Sequence, residues 1–153
     1  MHGMTTKNFR RAVALALAFI PMSAWADEPI GQVKTETGAV TLEHLGTSRP
    51  MVIGDHVFQS DVIVTAAGGT VGITFADNSM MSLGPDSRLA LDQFRFDTTT
   101  HDGVFDSSLQ KGTLAVKSGQ IVRQTPEAMH IRTPAALLGV RGTEFVVRAD
   151  GKS

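Results

Sequence analysis

The chain of 153 residues contains no cysteine, which excludes a disulfide scaffold, cysteine-ligated zinc or iron–sulfur centres and any cysteine nucleophile. It has no tyrosine, and its single tryptophan is Trp25. Positive charge is not in surplus: the formal net charge is −1, so a nucleic-acid surface built from bulk basic charge is excluded as an expectation. No apolar run approaches the ~20 residues that a membrane-spanning helix requires. A sustained apolar stripe at helical spacing is also missing, which argues against a bundle or coiled coil. What remains is a chain with 42 % apolar and 19 % charged residues, enough of each for one ordinary soluble domain.

The first 26 residues are ordered as an export signal. Lys7, Arg10 and Arg11 give a cationic start, and the apolar run from Ala12 to Ile20 follows. Pro21 interrupts that run, and Ala24-Trp25-Ala26 supplies the small-x-small pattern that a signal peptidase accommodates. The order of charge, apolar run and small residues predicts cleavage after Ala26, with residues 27–153 acting outside the cytoplasm as a periplasmic or secreted protein. Arg10-Arg11 leaves the twin-arginine route open beside general secretion. No later segment is expected to cross a membrane.

From Gly31 onward the pattern has period two. Val71, Ile73 and Phe75 share one face, as do Met81 and Leu83, Leu89 and Leu91, Leu114 and Val116, Met129 and Ile131, and Phe145 and Val147. Turn formers separate these runs at about 8-residue intervals, the spacing of ~5-residue strands joined tightly. The fold class is therefore all-β, a single small domain of short strands built as a roll, a sandwich or a solenoid-like coil. Leu89 and Leu91 differ in parity from Phe94 and Phe96, so a bulge is expected near Asp92-Gln93. The polar stretch Asp97–Ser108 reads as a mobile loop, and Ala135–Leu138 as the one short helical turn.

Three segments carry a resemblance. Gly54-Asp55 is followed by Ser60-Asp61-Val-Ile-Val-Thr65, and Val71–Phe75 is followed by Asp77-Asn78-Ser79, a second strand and Pro85-Asp86-Ser87. Thr133-Pro134-Ala135-Ala136 is followed by Arg141-Gly142-Thr143-Glu144-Phe145. In this order the segments resemble the FecR domain, and with Lys111–Val116 the resemblance runs through most of residues 31–148. Ser60 and Asn78 stand where that family usually has glycine. The resemblance implies a β module acting in signalling or regulation at the cell envelope, where the family's fuller architecture adds a membrane helix, a cytoplasmic anti-sigma segment and a domain facing a transporter.

Read as residues, these motifs carry structure before chemistry. Asp55, Asp61 and Asp77 stand where a carboxylate can accept backbone N–H groups across a tight turn. Arg141, with Gly142 and Thr143, is expected to clasp buried carbonyls or a carboxylate at the domain end, the other reading being a partner contact. Gly54, Pro134 and Phe145 complete the motif positions, Phe145 facing inward. No Gly-x-Ser-x-Gly elbow is present, and Gly68-Gly69-Thr-Val-Gly72 lacks the spacing and the lysine of a phosphate loop. His44, His56, His101 and His130 are scattered singly, without metal-ligand spacing, and His44 and His130 are expected to face solvent. The expectation is a non-enzyme with no catalytic, cofactor or metal residues.

Two binding functions compete. The first is an exported module that binds an unidentified envelope protein in signalling or regulation. The second is a carbohydrate- or cell-wall-binding module, against which stands the lack of tyrosine and of any tryptophan beyond Trp25 to stack on sugars. Neither the partner nor the oligomeric state follows from the residues.

Overall fold

Short alternating segments become twelve strands of one curled, largely antiparallel sheet in a computed structural model that describes residues 27–151. The expected export signal, residues 1–26, lies outside the described residues. In chain order the strands are β1 (Gly31–Thr37), β2 (Val40–His44), β3 (Thr47–Pro50), β4 (His56–Val57), β5 (Val62–Thr65) and β6 (Thr70–Phe75). Then follow β7 (Met80–Leu83), β8 (Arg88–Phe96), β9 (Gly103–Lys117), the helix α1 (Gln120–Gln124), β10 (Met129–Arg132), β11 (Leu137–Gly139) and β12 (Glu144–Ala149). Hydrogen-bonded order runs β3-β2-β5-β8-β9-β7-β6-β1-β4, so the sheet curls as an open roll and strands do not stack in sequence order as in a coil.

The 15-residue β9 organises this path. Its first part, up to Lys111, pairs with β8 on one side and, in parallel, with β10 on the other. From Gly112 to Lys117 it pairs with β12, and Leu114 to Lys117 also face β7. Gly112 marks the changeover with φ +96°, a left-handed conformation that glycine adopts without a Cβ penalty.

The shared parity read from the sequence is the core. Val71, Ile73, Phe75, Met81, Leu83, Leu89, Leu91, Leu114, Val116, Met129, Ile131 and Val147 are all buried, and Phe145 packs against them half-buried. The bulge falls as expected: Leu91 faces Ser107 and Gln93 faces Asp106, leaving Asp92 as the extra residue. This shift brings Phe94 opposite Phe105, with ring centroids 4.9 Å apart, and Phe75 closes on Phe105 at 4.6 Å. Such edge-on aromatic pairs add about 0.5–1.5 kcal/mol beyond the area that they bury.

Two local expectations are overturned. Asp97–Ser108 is not a loop: only residues 97–102 turn, and β9 begins at Gly103. The Asp97 carboxylate closes that turn by accepting the amides of Thr99 at 2.7 Å and Thr100 at 3.0 Å. Asp106 and Ser108 occupy the outer positions of β9, which hides the strand behind polar residues. Ala135–Leu138 is not helical either. Thr133 accepts the Ala136 amide at 3.1 Å in a side-chain-closed turn, and Leu137 continues directly into the edge strand β11. The one helix among the described residues is α1, which the sequence pattern did not announce.

Candidate functional site

Each of the three aspartates closes a turn. Asp55 accepts the Val52 amide at 2.9 Å and the Arg49 guanidinium at 2.7 Å. The Val52 amide foremost, then Arg49, holds its carboxyl below the usual carboxylate value. Gly54 ends the same turn at φ +92°, its amide donating to the Val33 carbonyl. Six positions on, Asp61 repeats the arrangement, accepting the Phe58 amide at 2.8 Å from a fully buried position. Ser60 and Asn78, standing at glycine positions of the motif, have φ +74° and +65°.

Asp77 reaches further. Buried, it accepts the Ser79 amide at 3.0 Å and the Ser79 hydroxyl at 2.6 Å. Its backbone carbonyl accepts the Gln120 amide at 2.7 Å, and its carboxylate accepts the Ile121 amide at 3.4 Å. The first residue before α1, Gly119, has no side chain with which to cap the helix. The β6–β7 turn therefore satisfies the start of α1 from 44 residues away.

Arg141 keeps only one arm of the expected clasp: it meets a carboxylate, at the surface, and none of the turn's carbonyls. Its guanidinium pairs with Glu127 at the surface, and its side chain is 76 % exposed. The carbonyls of the turn are tied by Ser118 instead. Its hydroxyl donates to the Gly142 carbonyl at 2.7 Å, and its amide to the Thr143 carbonyl at 2.8 Å. Pro134, Gly142 and Thr143 are exposed with Arg141. Leu137 is 60 % and Leu138 37 % exposed, so the segment from Thr133 to Thr143 turns apolar side chains and a cation outward. Buried Val140, whose amide donates to the Met129 carbonyl at 3.0 Å, anchors it.

Two histidines have carboxylate partners that sequence reasoning missed. His44 does not face solvent freely: it shares parity with buried Val40 and Leu42, and Nδ1 meets the Asp61 carboxylate. The signal was present in that parity. His130 does lie on the outer face of β10, where Nδ1 meets Asp106 at 2.9 Å across the parallel pair. Nearby, the Ser108 hydroxyl donates to Asp92, the bulge residue. His56 and His101 are exposed. No group of three or more His, Asp or Glu side chains is placed to hold a metal ion among the described residues.

His44 also lines a cleft of about 420 Å³ with Glu28, Gln59, Phe94, Arg95 and Phe96. Leu45 stands at its edge, 82 % exposed and held at φ +46° in the two-residue turn between β2 and β3. For a leucine that conformation is strained, by about 1–3 kcal/mol. A second cavity of about 390 Å³ lies over Asp92, Asp106, His130 and Leu137. Neither brings a nucleophile, a base and an orienting group into one chain of hydrogen bonds.

The family described as FecR protein matches residues 61–153, more than half of the chain, and the chain belongs to that family. The matched span takes in Asp61, Asp77 and the whole closing segment, while Gly54 and Asp55 precede it. Family membership suggests a signalling or regulatory role. No curated protein and no solved structure matches the chain significantly.

Proposed function

We propose that this FecR-family chain is an exported, non-catalytic β module that binds a protein partner in the cell envelope. Residues 1–26 serve as the cleaved export signal, and residues 27–153 are the acting domain. The observation that carries the reading is the closing segment. Its motif residues Pro134, Arg141, Gly142 and Thr143 are turned to solvent beside exposed Leu137 and Leu138. Interior packing does not require leucines turned outward there, whereas an exposed apolar patch marks an interaction surface, and arginine is enriched among the residues that carry binding energy.

The carbohydrate-binding alternative has less support. Phe75 and Phe105 are buried, and Phe58, Phe94, Phe96 and Phe145 are half-buried, so the described residues present no exposed aromatic platform. No helix among the described residues is long and apolar enough to cross a membrane.

The test is capture from envelope extract of the producing cells with tagged protein, wild type against Leu137→Asp/Arg141→Glu. A protein retained by the wild type and lost with the variant supports the reading. Equal retention by both overturns the assignment of the surface, and N-terminal sequencing that finds residues 1–26 still attached overturns the export signal.

A further inference from the structure

We propose that β12 is the edge at which two copies of this chain join their sheets about a two-fold axis. Among the described residues β12 pairs with β9 and with no other strand, so its second edge offers a row of unpaired amides and carbonyls. The other open edges are poorer templates. β3 ends in Pro50, β4 has two residues, and β11 has three. β12 has six, without proline or glycine.

The occupant follows from charge. Glu144, Val146 and Arg148 alternate with buried or half-buried Phe145 and Val147, so all three project from the outer face. In an antiparallel pair, directly opposite residues share a face. A second β12 centred on Val146 sets Glu144 of each copy against Arg148 of the other, and Val146 against its own counterpart. Edges protected against pairing carry charges that repel or point inward. Here opposite signs stand two residues either side of the centre, which attracts a second copy of the same strand.

The face beside the edge extends the joint. Val146 is 67 % exposed and lies in a row with the small residues Ala115 and Ser82, next to half-exposed Met80. These residues floor a shallow apolar cavity of about 390 Å³, rimmed by Lys117 and Glu144. Two-fold pairing brings two such floors together over one continuous sheet. An isologous contact of this kind closes at two copies.

Sedimentation of the purified protein over a concentration series should show a monomer–dimer equilibrium. Glu144→Arg alone should weaken it about tenfold, as should Arg148→Glu alone, because two attractive cross-strand pairs become repulsive. The double exchange Glu144→Arg/Arg148→Glu should restore it, which a folding defect would not do. As the chain has no cysteine, Val146→Cys should cross-link to a dimer under mild oxidation faster than the exposed control Val52→Cys. A monomer at every concentration overturns the proposal. So does a dimer indifferent to the charge exchange, or cross-linking no faster at position 146 than at 52.

Discussion

The Ser87 hydroxyl oxygen lies 1.9 Å from the place that a Cβ on Gly112 would take. Ser87 is buried, donates to the Pro85 carbonyl at 3.0 Å and accepts the Thr113 amide at 3.0 Å, so it cannot step aside cheaply. Gly112→Ala therefore combines a left-handed backbone with a collision. It should cost about 2–6 kcal/mol, measured as a fall in the denaturant midpoint. A loss under about 1 kcal/mol would show that the changeover in β9 is not fixed by this contact.

Asp77→Ala should also be severe. It leaves the buried Ser79 amide and hydroxyl without their acceptor and weakens the hold on the Ile121 amide. At about 1–3 kcal/mol for each stranded group, the loss should be about 2–6 kcal/mol. Circular dichroism alone will register little, because α1 has five residues. Amide exchange at Gln120 and Ile121 should accelerate before the rest of the domain.

Arg141→Ala should be mild. An exposed ion pair such as Arg141–Glu127 contributes about 0–1 kcal/mol, and the turn keeps its Ser118 bonds. The melting temperature should stay within a few degrees of wild type. Ser118→Ala, by contrast, removes the donor to the Gly142 carbonyl and should be the more damaging of the two. The reverse ranking would return the clasp to Arg141.

Acid should destabilise the protein in part through exposed carboxylates whose native values are depressed. Asp55 is lowered by the Val52 amide and Arg49, Asp97 by the Thr100 and Thr99 amides, and Glu43 by its bond to Arg88. Because each binds its proton less readily in the folded chain, its contribution is complete above the ordinary value of about 4. It is lost as pH falls through the lower native value. Thermal midpoints should therefore decline below about pH 4, and Asp55→Asn should make that decline shallower. An unchanged slope in Asp55→Asn assigns the acid sensitivity to other carboxylates.

Parity made most of the core legible. Leu89 and Leu91 against Phe94 and Phe96 located the bulge at Asp92, because a single extra residue is the economical way to turn all four inward. Parity failed where outer positions were polar and the inner one small. Ser107 takes an inward place between Phe105 and Leu109, and so the start of β9 resembled a loop. α1 was illegible for a different reason: its first amides are satisfied by Asp77, far away in the chain. The same holds for His44 and Asp61, 17 residues apart and joined only when β2 meets the turn before β5. Local sequence showed that Arg141-Gly142-Thr143 is a turn, but the Ser118 that ties it directly follows the end of β9.

The position of β9 sets the order in which the domain can be completed. Every strand from β1 to β8 precedes it, and those strands reach one another as a single sheet only through residues 103–117. A chain emerging N-terminus first holds its early apolar faces open until this late segment arrives. The contacts that reward closure are distant in sequence, which slows folding. A chain halted after Phe96 should stay unfolded by amide exchange, and one extended through the end of β12 should gain protection in both halves of the roll in a single step.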